Sequence, residues 1–347
     1  MTLAAPGPAA RAAASAPGLA APLLLDEAAV AALLCIEELV DLMKRTLADF
    51  SSGRARQPVR SVVQAEPHPT LMAVMPGYLP GAEALAVKVV TVAPQNPARG
   101  LPSHLATVLL LDPATGALLA ILDGRLITEM RTAAASAAAA RALARPGART
   151  LALLGSGVQA HSHLEAFRAV FPLERVRVWS PDRAHREEFA RAHAPGAAGA
   201  AGPAPAIAAA ASAEQAVAGA DLVVLATSSR TPVLEGRWLA PGTHLTAVGA
   251  CRPDQRELDA ETVRRASVWV DSLAAARVEA GDLLLAERDG VAWEERVRGE
   301  IGAVFEGTLA GRRDAGEITL FKSLGLAVED AASARLAYRR ALERRPG

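Results

Sequence analysis

The spacing of apolar residues divides the chain into two regimes. In the first, Val30, Leu33, Leu34, Leu39, Val40, Met43 and Leu47 recur at helical intervals. They predict one helix from Asp26, its N-cap, to Phe50, ended at Gly53. Strand-like runs follow at Val59–Val63, Leu71–Met75, Leu85–Val92, Thr107–Leu111 and Ala117–Leu122. The last two flank Asp112-Pro113-Ala114-Thr115-Gly116, a hairpin-type turn. The first third therefore reads as a mixed or antiparallel sheet led by a helix. Thr128–Ala144 predicts a long alanine-rich helix, stopped by Pro146-Gly147, that carries the chain into a second domain.

From Thr150 onward, continuous apolar strands alternate with helices. Strands are expected at Thr150–Leu154, Val176–Trp179, Asp221–Thr227, Thr243–Val248 and Val268–Asp271. Helices are expected up to Val170, over Asp182–His193, after the capping box Ser212-Ala213-Glu214-Gln215, and over Ser323–Arg340. Ala194–Pro205 is low in complexity and reads as a loop. The alternation indicates a parallel sheet covered on both faces.

Composition narrows the classes. At 347 residues the chain suits two domains. Acidic and basic residues balance at 37 each, which argues against a general nucleic-acid binder. No apolar run approaches the roughly 20 residues of a membrane span. Residues 1–22, mostly Ala, Pro and Gly, read as a disordered tail and not as a signal peptide. The two cysteines, Cys35 and Cys251, make no disulfide scaffold and fit a reducing cytoplasm. Only Lys44, Lys88 and Lys322 are lysines among 37 basic residues. A retained lysine matters because it can release a proton when buried and arginine cannot. Lys88 interrupts the apolar run Ala86–Val90; Lys44 falls on the polar side of the first helix.

The sharpest local motif is Gly155-Ser156-Gly157-Val158-Gln159-Ala160, between a strand and a helix. That context is the dinucleotide fingerprint: Gly155 for the turn, Gly157 for close approach of a pyrophosphate, Ala160 for packing. Gly155, Ser156, Gly157, Val158 and Gln159 are thus candidate cofactor contacts. The next strand ends at Ser180, followed by Asp182 and Arg183. A hydroxyl with a nearby arginine suits a 2′-phosphate, which favours NADPH, with NADH as the alternative. Asp182 either reaches the ribose or caps the next helix. Thr227 and Ser228 close a strand at the carboxyl edge, where ligands of such sheets bind. His161 and His163 sit two apart on a helix and face different ways, so no metal site is expected.

Seven motifs in order resemble the ornithine cyclodeaminase/mu-crystallin family, closest to its mu-crystallin-like ketimine reductase branch. They are Pro102-Ser103-His104, Asp123-Gly124, Met130 to Ala134, the Gly155 loop, Val248 to Asp254, Gly281-Asp282, and Phe321 to Gly325. The resemblance implies an α/β chain in which a Rossmann domain (131–322) is inserted into an α+β substrate and dimerisation domain (23–130 and 323–347). It implies a homodimer with its site in the cleft between the domains. It places Lys88 and Arg131 as catalytic residues and Arg60, Lys88, Arg131 and Cys251 around the substrate. It adds Thr132 and Ser323 to the cofactor contacts. Arginine grips carboxylates bidentately, which fits a small imino acid; a surface charge is the other reading of Arg60. Arg131, near the start of its helix, would also set an anion by the positive helix end. Lys322 would support the cofactor cleft.

The implied activity is NAD(P)H-dependent reduction of a cyclic ketimine carboxylate, Δ1-pyrroline-2-carboxylate or Δ1-piperideine-2-carboxylate. Another amino-acid dehydrogenase activity and a ligand-binding role are the alternatives. Ornithine cyclodeamination ranks last: Cys251 stands where those enzymes carry an aspartate base, and a neutral thiol is a poor substitute.

Overall fold

The computed structural model describes residues 20–194 and 205–344. The expected tail lies outside them except for residues 20–22, as does most of the expected 194–205 loop. Strand β1 (Leu23–Leu25) leads into α1 (Glu27–Leu33), with Asp26 as N-cap accepting from the Ala29 amide at 2.9 Å. The single expected helix is two: the chain turns extended at Leu34, and α2 runs Ile36–Ser51. The reason lies in the pattern itself. The stripe Ile36, Leu39, Met43 and Leu47 falls roughly a third of a turn away from Val30 and Leu33, so one straight helix cannot bury both.

Strands β2 (Ser61–Gln64), β3 (Leu71–Leu79), β4 (Ala84–Val92), β5 (His104–Leu111) and β6 (Leu118–Asp123) form an antiparallel run, and β1 adds parallel to β6. Helix α3 spans Gly124–Leu143, one turn longer at its start than expected, because the Asp123 carboxylate caps it through the Leu126 amide. Residues Ala133 to Ala140 are all buried. A helix apolar on every side belongs in an interior, and its alanines let α2 and neighbouring elements approach closely.

The second sheet is parallel throughout. It holds β7 (Thr150–Leu154), β8 (Arg175–Trp179), β9 (Ala206–Ala209), β10 (Leu222–Leu225), β11 (His244–Ala247), β12 (Ser267–Val270), β13 (Val297–Glu300) and β14 (Thr319–Lys322). Their order is β13-β12-β14-β11-β10-β7-β8-β9. Read from β9, this is a Rossmann order, with the topological switch between β7 and β10. The helices of this half are α4 (Val158–Val170), α5 (Arg183–Ala192), α6 (Ala213–Val217), α7 (Ala260–Arg265), α8 (Leu273–Glu279), α9 (Gly281–Arg288) and α10 (Ile301–Phe305).

The expected last helix is corrected. Phe321 and Lys322 belong to β14, a strand the apolar pattern did not announce, and α11 begins only at Ala327 and runs to Glu343. The link between them carries Gly325 at φ +81°. Helix α11 then packs back on β3, β4 and β5 of the first sheet. The opposite face of that sheet has aliphatic residues in register: Leu24 with Ile121, Leu109 with Val87, Val89 with Val74, and Met72 with Val63. Val63 and Leu24 are exposed there.

Candidate active site

The link after β14 brings the two sheets together, and the charged residues gather around it. Lys88 projects from the middle of β4 and is 2% exposed. Its Nζ lies 2.6 Å from Asp330 Oδ2 at the start of α11 and 3.4 Å from the Thr128 hydroxyl on α3. Arg131, also on α3, donates from Nε to Asp330 Oδ1 at 3.1 Å and from Nη1 to Glu329 Oε2 at 2.7 Å. Two cations thus face two adjacent carboxylates, all buried. Burial pushes the Lys88 ammonium down to about 8, although Asp330 pulls the other way. Burial also raises Asp330, but Arg131 and Lys88 outweigh it and hold that carboxyl below its usual range. Glu329 is pushed up to about 7, by burial first and then by Asp271 and Asp330, against Arg131.

One expectation about Arg131 is corrected. It is not near the start of its helix but two turns in, about 10 Å along the axis. The positive helix end does not act there. Its anion-holding capacity comes from its own guanidinium.

The link itself is clamped from both sides. Asp271, just after β12, accepts from the Ser323 hydroxyl (2.9 Å) and the Leu324 and Gly325 amides (2.6 and 2.7 Å). Arg60 donates to the Leu324 and Gly325 carbonyls at 2.6 and 3.0 Å and pairs with Glu279 of α8 at 3.1 Å. Arg60 is therefore no loose surface charge. It bridges the first sheet to the Rossmann half. Gly325 lies against the Arg131 guanidinium, where a Cβ would come within 2.6 Å of Nη1.

The Rossmann side is equally ordered. Glu257 accepts from the Thr227 amide and hydroxyl (2.7 and 2.8 Å) and from the Gly249 and Ala250 amides (2.7 and 3.2 Å). One carboxylate thereby ties together the loops that leave β10 and β11. Burial and neighbouring Asp282 raise Glu257 to about 7. Asp282 accepts from the Glu257 and Leu258 amides and pairs with Lys322 at 2.9 Å, and Lys322 also donates to the Ala250 carbonyl. Cys251 is half-buried, and its thiol donates to the Val248 carbonyl at 3.2 Å. Burial pushes that thiol up, so it is a neutral group near neutral pH.

The Gly155 loop fits a dinucleotide. Gly155 sits at φ +118°, and a Cβ there would lie 2.5 Å from the Ala226 carbonyl, so turn and packing both demand glycine. Gly157 differs. Its φ is −84°, and a Cβ would meet nothing within 4 Å. Neither backbone nor packing calls for glycine at 157, whereas a phosphate lying on the N-terminus of α4 would. Val158 is exposed beside it, and the buried Gln159 amide oxygen has no hydrogen-bond partner.

The other expected contacts divide. Ser156 donates to the Ser180 hydroxyl at 2.9 Å, so these two are brought together at the end of β8. Asp182 caps α5 through the His185 amide at 3.0 Å, which commits it to the helix. Arg183 is exposed and turned onto Glu187 at 2.7 Å, and Arg186 instead reaches the Ser180 carbonyl. Thr132 donates to the Thr128 carbonyl within α3, and Ser228 is exposed on its loop. His161 meets His193, whereas buried His163 bonds Ser136 and the Gln159 carbonyl. Sequence reasoning missed Asp330, Glu329, Asp271 and Glu257. A signal existed in Glu329-Asp330, adjacent carboxylates opening an alanine-rich helix.

The family model for ornithine cyclodeaminase and mu-crystallin matches residues 21–345. A ketimine reductase mu-crystallin from Mus musculus is 41% identical over 303 residues, 86% of this chain and 91% of that one. The structure of Thermococcus litoralis Δ1-pyrroline-2-carboxylate reductase in complex with NADH and L-proline superposes with a TM-score of 0.88 at 39% identity, covering 92% of this chain and 98% of that one. An archaeal alanine dehydrogenase dimer with bound NAD superposes at 0.86 with 32% identity, covering 94% and 98%. This chain belongs to the ornithine cyclodeaminase/mu-crystallin family.

Proposed function

We propose that this protein is an NAD(P)H-dependent reductase of small cyclic ketimine carboxylates, forming proline from Δ1-pyrroline-2-carboxylate or pipecolate from the six-membered ring. The observation that carries this is the pairing of Lys88 and Arg131, buried side by side where the first sheet meets the Rossmann edge. The dinucleotide, when bound, supplies hydride to the C=N carbon. Gly155, Ser156, Gly157, Val158 and Gln159 would hold its pyrophosphate, and Ser180 its ribose. Thr132, Thr227, Ser228 and Ser323 would border its nicotinamide end.

Arg131 binds the substrate carboxylate through its planar fork. Lys88, with its ammonium pushed down to about 8, is protonated at pH 7 yet poised to release that proton. It delivers it to the imine nitrogen as the carbon is reduced. Arg60 shapes the pocket wall by holding the Leu324–Gly325 link in place. Cys251, as a neutral thiol, lines the site without acting as a base. That disfavours ornithine cyclodeamination, which needs a base to deprotonate an amino group. Ser180 at the end of β8, in place of a carboxylate, favours NADPH over NADH.

The domain roles follow: residues 23–130 with 323–347 bind substrate and dimerise, and 131–322 bind the cofactor. The homodimer is supported by the aliphatic outer face of the first sheet, which no helix of this chain covers among the described residues. No helix among the described residues is long and apolar enough to cross a membrane. Two unpaired cysteines support a reducing, cytoplasmic setting.

The test is absorbance at 340 nm with NADPH and NADH in parallel against the five- and six-membered cyclic imino acids, with ornithine and NAD as a control. Loss of NADPH with an imine is the expected result. Proline formed from ornithine, with no imine reduced, would overturn the reading.

A further inference from the structure

The buried charges leave no cation free for an incoming anion. Lys88 is already met by one oxygen of Asp330, and Arg131 by the other oxygen of Asp330 and by one of Glu329, at 2.6 to 3.1 Å. All four are at most 4% exposed. A substrate carboxylate added to this set would leave one uncompensated buried negative charge, which is costly. One resident carboxylate must therefore be neutralised or leave.

The two are not equivalent. Asp330 bridges both cations. Glu329 makes one contact, through Oε2, and its buried Oε1 has no partner. Glu329 also faces carboxylates on two sides, Asp271 beyond β12 and Asp330 beside it on α11. The other charged groups of the cluster are Lys88 on β4, Arg60 before β2, paired with Glu279 on α8, and His104 on β5, which burial holds neutral at about 4.

We propose that Glu329 is a stand-in for the substrate's carboxylate: it holds the Arg131 fork in the free enzyme and yields it, taking one proton from solvent, when an α-imino carboxylate arrives. This rests on the reductase reading of the site and makes Glu329 a positioning residue that acts through Arg131. With Glu329 neutral, the two cations face Asp330 and the substrate, and the charges balance. Ligand binding is then coupled to proton uptake.

The experiment is calorimetric titration of the enzyme, loaded with NADP, with pyrrole-2-carboxylate, a planar analogue of the imine ring. It is run from pH 7 to 9 in buffers of different ionisation heat. The wild type should take up a fraction of a proton approaching one. KM for the imine should rise up to tenfold per pH unit above neutrality. In Glu329→Gln the uptake should vanish and KM become flat with pH. Uptake that persists unchanged in Glu329→Gln belongs to Lys88 and overturns the proposal. If that variant does not fold, the wild type decides: uptake already present at pH 7, where Lys88 is protonated, supports the proposal, and uptake confined above pH 8 overturns it. Turnover of an imine without proton uptake defeats this inference alone. Proton-coupled binding without turnover defeats the reductase reading alone.

Discussion

Asp330→Asn removes one charge and almost no volume, and it isolates what holds Lys88 protonated. Asp330 lies 2.6 Å from the Lys88 ammonium with both groups buried. At an effective dielectric of about 20, opposite unit charges some 4 Å apart attract by about 4 kcal/mol. One pKa unit corresponds to about 1.36 kcal/mol, so losing that attraction moves the Lys88 titration down by roughly two to three pH units. Arg131, now short of a carboxylate, pushes in the same direction. Lys88 starts at about 8 in the wild type, so the asparagine variant carries neutral lysine at pH 7. If protonated Lys88 supplies the proton, kcat/KM of the wild type, which already declines above neutrality through the effect of Glu329 on KM, falls again as pH rises through about 8 and kcat falls with it. The variant should lose activity at a correspondingly lower pH and be down by about a hundredfold at pH 7, the scale of general acid catalysis. The assay is kcat/KM for Δ1-pyrroline-2-carboxylate with NADPH from pH 5 to 9, with circular dichroism to confirm the fold. A variant whose alkaline limb stays at the wild-type pH would refute the assignment of that limb to Lys88.

Other outcomes follow from the same geometry. Gly157→Ala should leave the melting temperature unchanged and weaken dinucleotide binding at least tenfold, because its Cβ enters only ligand space; Gly155→Ala should lower stability as well, since its Cβ meets the Ala226 carbonyl. Fluorescence titration beside thermal melts separates the two. Burial holds His163 at about 4 and His244 at about 3, both below the ordinary 6.5. The unfolded chain therefore binds more protons below pH 6.5, and stability is lost as pH falls from there toward 4, by about 1.4 kcal/mol per histidine per pH unit. Urea midpoints at pH 7 and 5 measure this, and equal midpoints would contradict it. Val89→Glu, on the aliphatic outer face of the first sheet, should yield a monomer in light scattering; a dimer unchanged by that charge would place the interface elsewhere.

Much of the architecture was legible because it depends on local periodicity. The strands from Leu71 to Asp123 and the early Rossmann strands show as apolar runs, and the Gly155 loop shows its role through its flanking elements. Lys88 stood out because a charge in the run Ala86–Val90 has no local partner. Boundaries failed where a non-local contact or a cap decided them. The first helix broke to re-phase its apolar stripe. Helix α3 started a turn early at its Asp123 cap, which carried Arg131 away from the helix end. The strand Thr319–Lys322 was hidden because only Leu320 and Phe321 are apolar between Thr319 and Lys322, and its place between β11 and β12 makes it a strand.

The sequence by itself determined the parallel α/β half, the dinucleotide loop and Lys88, since each depends on a short pattern or a conspicuous residue type, and the family resemblance added Arg131 and the domain insertion. Tertiary structure decided what those cations are paired with. Asp330 and Glu329 lie about two hundred residues from Arg131 in the chain. They reach it only because the chain completes the Rossmann sheet with β14, placed between β11 and β12, and then returns a helix to the first sheet. Charge state inside that junction follows from burial and from the neighbours on facing elements, neither of which a linear pattern encodes.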